Sequence, residues 1–166
     1  MNTKLEANLV GVAGEYLVAG ELTLRGLIAS ISLRNSRGID IIVSDSEGEN
    51  SRTIQVKANS SGKSKWLLSK KSQDFYSESH FYGFVALNPL GARARFHVVP
   101  SEVVARQIKS SHEFWLSEKK RDGNDRKDTN KEKGSEPNYF AMEEEKGSEP
   151  NYFCLLYTSP SPRDFE

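Results

Sequence analysis

Two short runs with strict alternation constrain this chain most. In Gly38-Ile39-Asp40-Ile41-Ile42-Val43, the residues Ile39, Ile41 and Val43 share one side, and in Thr53-Ile54-Gln55-Val56-Lys57-Ala58 the residues Ile54, Val56 and Ala58 do. Successive strand residues point to opposite faces, so a period of two predicts half-buried strands. Asp40, Gln55 and Lys57 then lie opposite the main apolar set of their own strand. The intervening residues 45–52, with Gly48 among them, suit an antiparallel return. Paired as neighbours, the two strands would bring a carboxylate, an amide oxygen and an ammonium to one patch. That set can hold a hard metal ion and activate water. Gln55 and Lys57 alone would mean no more than a solvated strand face. Asp40 is harder to dismiss, because Asp is depleted in strands and here it interrupts an apolar run.

The flanking sequence supplies the remaining elements. Thr3 and Glu6 form a capping box, apolar residues from Leu5 to Leu24 recur at helical spacing, and Gly26 follows as a C-cap, predicting a helix over about residues 4–25. Gly11, Gly14 and Gly20 lie inside it at about 1 kcal/mol each relative to Ala. Close approach of the helix to a sheet would explain them, and would push the carboxylate of Glu15 toward the strand patch. Further strands are expected over 27–33, 81–87 and 95–99, a short helix over 66–78, and a helix from 100 to about 109 with an added turn at 111–116. The aromatic residues Trp66, Phe75, Tyr76, Phe81, Tyr82, Phe84, Phe114 and Trp115 read as core or packing residues. The fold class is α/β, with a mixed sheet flanked by helices.

The order Glu15, Asp40, Gln55-x-Lys57 resembles the PD-(D/E)XK nuclease superfamily, which includes restriction endonucleases and Holliday-junction resolvases. The element order over roughly residues 11–99 resembles its restriction-endonuclease-like αβββαβ core. The chain departs from the usual pattern at Gln55, where an acid is commoner, and Gln in that place resembles the Mrr-type branch. The resemblance implies a DNA endonuclease in which Asp40, Glu15 and Gln55 hold Mg²⁺ or Mn²⁺ and Lys57 acts on the water. It also implies DNA as partner and a homodimer, since a chain this small needs a second copy to span a duplex. Arg34, Arg37, Lys63, Lys65, Lys70 and Lys71 flank the patch in sequence and could meet phosphates. Gln73 could assist from the following helix.

Composition excludes several other classes. Cys154 is the one cysteine, so no disulfide frame or Cys-based zinc site is available. The three histidines lack metal-ligand spacing. Gly11-x-x-Gly14 follows no strand and is no phosphate loop. No run approaches the length of a membrane span, no signal peptide is apparent, and a cytoplasmic location is expected. Residues 1–115 carry 14 Lys/Arg against 11 Asp/Glu, a mildly basic balance that permits nucleic-acid binding without demanding it.

Three regions follow. Residues 1–116 form the nuclease-like core. Residues 117–153 read as a polar, flexible tail in which EKGSEPNYF occurs twice, at 132–140 and 145–153. Residues 154–164 resemble a translated sequencing adapter, so 154–166 are set aside from fold reasoning and the natural C-terminus is expected to be missing. Two rival readings remain beside the nuclease: a non-catalytic nucleic-acid-binding module on the same fold, and a structural or partner-binding domain.

Overall fold

Both alternating runs form strands, and they pair antiparallel through Ile41↔Ile54, Ile42↔Thr53 and Val43↔Arg52. The computed structural model describes residues 5–33, 38–88, 92–119, 138–141 and 153–154. Its elements are α1 (Ala7–Thr23), β1 (Ile28–Ile31), β2 (Ile41–Ser44), β3 (Arg52–Asn59), β4 (Lys65–Leu68), a 3₁₀ turn (Lys70–Gln73), β5 (His80–Ala86), β6 (Arg95–Pro100), α2 (Ser101–Ser117), β7 (Asn138–Ala141) and β8 (Phe153–Cys154). The main sheet runs β1-β2-β3-β5-β6-β8. β3 and β5 are parallel, whereas β1, β2 and β3 form an antiparallel meander and β6 returns antiparallel to β5. A parallel pair needs a crossover connection, which residues 60–79 supply. The fold is α/β with a mixed sheet and two helices.

Each face of the sheet carries its own core. Ile41, Val43, Ile54, Val56, Val85 and Phe96 pack with Val18, Ala19 and Leu22 of α1. Tyr82, Phe84, Ala86 and Val99 pack with Val104 and Ile108 of α2 and with Trp66, Leu68 and Phe140. Full burial of each Val, Leu, Ile or Phe side chain among them is worth about 1.5–3 kcal/mol.

The helix α1 ends as expected. Gly26 adopts φ 84°, and Gly26 N–H and Leu27 N–H donate to Thr23 O and Leu22 O at 3.0 and 3.3 Å, the paired bonds of a Schellman turn. Thr3, half of the expected capping box, lies outside the described residues, and Glu6 caps through no side-chain bond. The buried stripe is Val10, Gly14, Val18, Ala19 and Leu22. Of the apolar series that predicted the helix, Leu5, Leu9, Tyr16, Leu17 and Leu24 are exposed and Val12 is partly buried. Gly14 sets that rotation, because a Cβ there would stand 2.6 Å from Ala58 Cβ. The close approach expected of the glycines holds at this position only, since Gly11 and Gly20 face open space.

Residues 66–78 are not a helix. Lys65–Leu68 form β4, in which Trp66 and Leu68 are buried and Leu67 is exposed. The period is two, and the indole N–H of Trp66 donates to Val85 O at 3.0 Å. Only the 3₁₀ turn after it is helical. Along α2 the two expected pieces are one continuous helix.

The polar tail over 117–153 also meets a departure. β7 pairs antiparallel with β4 through Trp66↔Phe140, and Phe140 stacks on Phe84 with centroids 4.5 Å apart. One aromatic residue in a polar stretch thus completes the core on the α2 side. β8 pairs with β6 and includes Cys154, the first residue of the segment set aside.

Candidate functional site

Asp40 sits where the β2–β3 ladder stops. Its N–H donates to Ile54 O at 2.9 Å, and its Oδ2 accepts the N–H of Val56 at 2.7 Å. From Val56 onward β3 has no β2 partner. The carboxylate thus takes a backbone donor that a longer β2 would have paired. Among the described residues its Oδ1 makes no hydrogen bond.

The three motif residues share one face. Ile41 and Val43 are buried toward α1, so Asp40 and the exposed Ile42 look the other way. Gln55 and Lys57 lie in register with Tyr82 and Phe84 of β5, both in the core on the α2 side. Asp40, Gln55 and Lys57, all partly buried, therefore lie on the α2 face of neighbouring strands. Glu15 does not join them on that face. It is partly buried on α1, which covers the opposite side of the sheet. A route to Asp40 would run around the open edge of β3, where Gly14 stands over Ala58.

The basic residues are scattered. Asn59 Nδ2 donates to Lys63 O and Lys65 O at 2.8 and 3.1 Å, folding that loop back on the Lys57 end of β3. The side chains of Lys63, Lys65 and Lys71 are exposed. Arg34, Arg37 and the side chain of Lys70 lie outside what the structure describes. Gln73 lines a cleft against α2.

Two neighbours of the patch escape motif reasoning. His80 opens β5 and is 3% exposed. Its Nδ1 lies 2.9 Å from Thr53 Oγ1, while its buried Nε2 has no hydrogen-bond partner among the described residues. Burial pushes the imidazole pKa below its ordinary value, and the nearby Asp40 charge works against that. Phe75 packs edge-to-face on His80 with centroids 4.8 Å apart. At Gly38, whose φ is 69°, an added Cβ would lie 3.1 Å from Phe75 Cε1 and 3.7 Å from Gln55 Nε2. Gly38, Gln55 and Phe75 therefore meet beside Asp40. Of the aromatics expected as core or packing residues, Phe75, Tyr76 and Phe114 are 44%, 58% and 67% exposed, and Phe75 serves as a packing residue on His80. The sequence signal for His80 was its place at the head of the apolar strand that pairs with the Gln55 run.

No family model, curated protein or solved structure matches the chain. Among the described residues no three His, Cys, Asp or Glu side chains form a metal-holding group. The donors on the α2 face are one carboxylate, with one oxygen engaged, one amide oxygen and backbone carbonyls. That set suits an ion bound through one or two carboxylates that keeps several waters, which is the habit of Mg²⁺. It does not suit a structural zinc site. No helix among the described residues is long and apolar enough to cross a membrane.

Proposed function

We propose that this chain is a metal-dependent DNA endonuclease of the PD-(D/E)XK type. The observation that carries the proposal is Asp40 bonded to the Val56 N–H between Gln55 and Lys57, where β2 stops pairing with β3. The meander of β1, β2 and β3 followed by a crossover to a parallel β5 adds support.

Asp40 and Gln55 would hold Mg²⁺ or Mn²⁺, with Glu15 completing the set around the β3 edge. The ion, when bound, supplies charge neutralisation at the phosphate and lowers the pKa of water. Lys57 orients the attacking water and steadies the negative charge that grows on the phosphate oxygens. Gln55 offers an oxygen without charge, so the ion is held less tightly than an acid there would hold it. Lys63, Lys65 and Lys71, with Arg34, Arg37 and Lys70, would meet the DNA backbone. The protein would act as a homodimer in the cytoplasm.

Gln55 also favours a second reading, a DNA-binding module on this fold without cleavage. One experiment separates the two. The full chain is incubated with linear, supercoiled and four-way-junction DNA in Mg²⁺, Mn²⁺ or EDTA. Cutting that requires metal supports the nuclease. Binding that weakens with salt and cuts none of the three supports the module.

A further inference from the structure

The loop between the 3₁₀ turn and β5 carries two consecutive aromatic residues that the core does not absorb. Phe75 is 44% exposed and Tyr76 is 58% exposed. The loop is nonetheless well fastened. Ser101, fully buried at the start of α2, accepts the Ser77 N–H with its Oγ at 3.0 Å and donates that hydroxyl to Ser77 O at 3.0 Å. Thr53 N–H donates to Ser79 O at 2.8 Å, and His80 N–H to Ser77 O at 3.1 Å. Phe75 is further held against His80 and Gly38. Two half-exposed rings on an anchored loop are a pre-organised surface, which lowers the ordering cost of binding.

Their neighbours indicate the ligand. Phe75 borders the Asp40 and Gln55 patch through Gly38. Tyr76 lines a cleft of about 680 Å³ between the loop and α2, shared with Asp74, Glu102, Arg106, Lys109, His112 and Glu113. Three carboxylates there face two cations, and Arg106 is paired with Glu102 at 3.0 Å, so the cleft offers no phosphate track. A mixed set of donors and acceptors around an aromatic ring matches the edges and face of a nucleobase. In a duplex those faces are hidden in the stack. An unpaired base presents both its face and its edge, and stacking on aromatic side chains is how sequence-tolerant single-strand binders gain affinity.

We infer that Phe75 and Tyr76 are a stacking platform for unpaired bases beside the cleavage patch, so that the substrate is DNA with single-stranded character at the scissile phosphate. The inference rests on the nuclease reading for its location, and its test does not depend on cleavage.

The test is the affinity of the full chain in EDTA for fluorescein-labelled oligo-dT and for a duplex of equal length. It compares wild type, Phe75→Leu, Phe75→Tyr and Tyr76→Ser, each checked for folding by circular dichroism. Leu keeps an apolar cover over His80 and removes only the aromatic face. Wild type should prefer the single strand. Phe75→Leu and Tyr76→Ser should each weaken oligo-dT binding roughly ten- to hundredfold, with duplex binding changed less than about twofold, and Phe75→Tyr should restore it. Folded Phe75→Leu and Tyr76→Ser proteins that bind oligo-dT like wild type overturn the platform, even if the chain cuts duplex DNA. A ring-dependent preference for oligo-dT in a chain that cuts nothing keeps the platform and removes the nuclease.

Discussion

The Asp40 carboxylate and the Val56 amide are joined at 2.7 Å, so one side chain closes the sheet edge and borders the candidate metal patch. Val56 is 8% exposed, and its N–H has little water to turn to. Asp40→Ala should therefore cost about 1–3 kcal/mol of stability, the penalty of an unsatisfied buried donor. Asp40→Asn keeps an acceptor and should cost less. Both should lose metal-dependent cleavage. Urea denaturation beside a nicking assay checks this, and an Asp40→Ala protein as stable as wild type would count against the structural half.

Gln55→Glu should restore the commoner acid of the family pattern. An added negative charge strengthens a hard-cation site, and the Mg²⁺ concentration for half-maximal cleavage should fall roughly tenfold, equivalent to about 1.4 kcal/mol. A metal titration of cleavage for both proteins provides the check. An unchanged requirement would remove Gln55 from the metal shell.

Gly14→Ala tests the helix-to-sheet contact. The new methyl would meet Ala58 Cβ at 2.6 Å, and overpacking of this kind costs about 1–3 kcal/mol. Gly11→Ala and Gly20→Ala meet open space and should stabilise by about 0.5–1 kcal/mol. Thermal denaturation of the three variants should move Gly14→Ala down and the other two up.

These contacts mark how far the sequence could be read. The alternation around Asp40 and Lys57 foretold two strands, their antiparallel pairing and a shared polar face, because a period of two leaves no freedom once one face is buried. The rotation of α1 was not legible. Its apolar residues run around the whole helix, and only the backbone approach at Gly14 selects the buried stripe. Lys65–Leu68 misled because three successive apolar residues, Trp66, Leu67 and Leu68, fit a helical turn as well as a strand, and burial of Trp66 and Leu68 decides it. Glu15 was read on the right element, but sequence order does not tell which face of the sheet a helix covers. His80 and Phe75 carry no motif, and they reach the patch through the parallel pairing of β5 with β3.

His80 predicts a pH dependence of stability. Its folded-state pKa lies below the ordinary value of 6.5, chiefly through burial. Above that value the imidazole is neutral in both states and stability is unaffected. As pH falls below it, the unfolded chain takes the proton first, and folding stability declines. Asp40 opposes the shift and softens the decline. The urea midpoint should drop between about pH 7 and pH 5, and His80→Gln should flatten that drop. Equal slopes in both proteins would assign the effect elsewhere.

The most direct test is Mg²⁺-dependent nicking of supercoiled DNA by the full chain and by Lys57→Ala under the same conditions. Lys57 lies at a partly buried strand position, and truncating it should leave the fold intact. The account predicts metal-dependent nicking by wild type and a loss of roughly a hundredfold or more in Lys57→Ala, the scale of removing one transition-state charge stabiliser. Undiminished nicking by Lys57→Ala would contradict it.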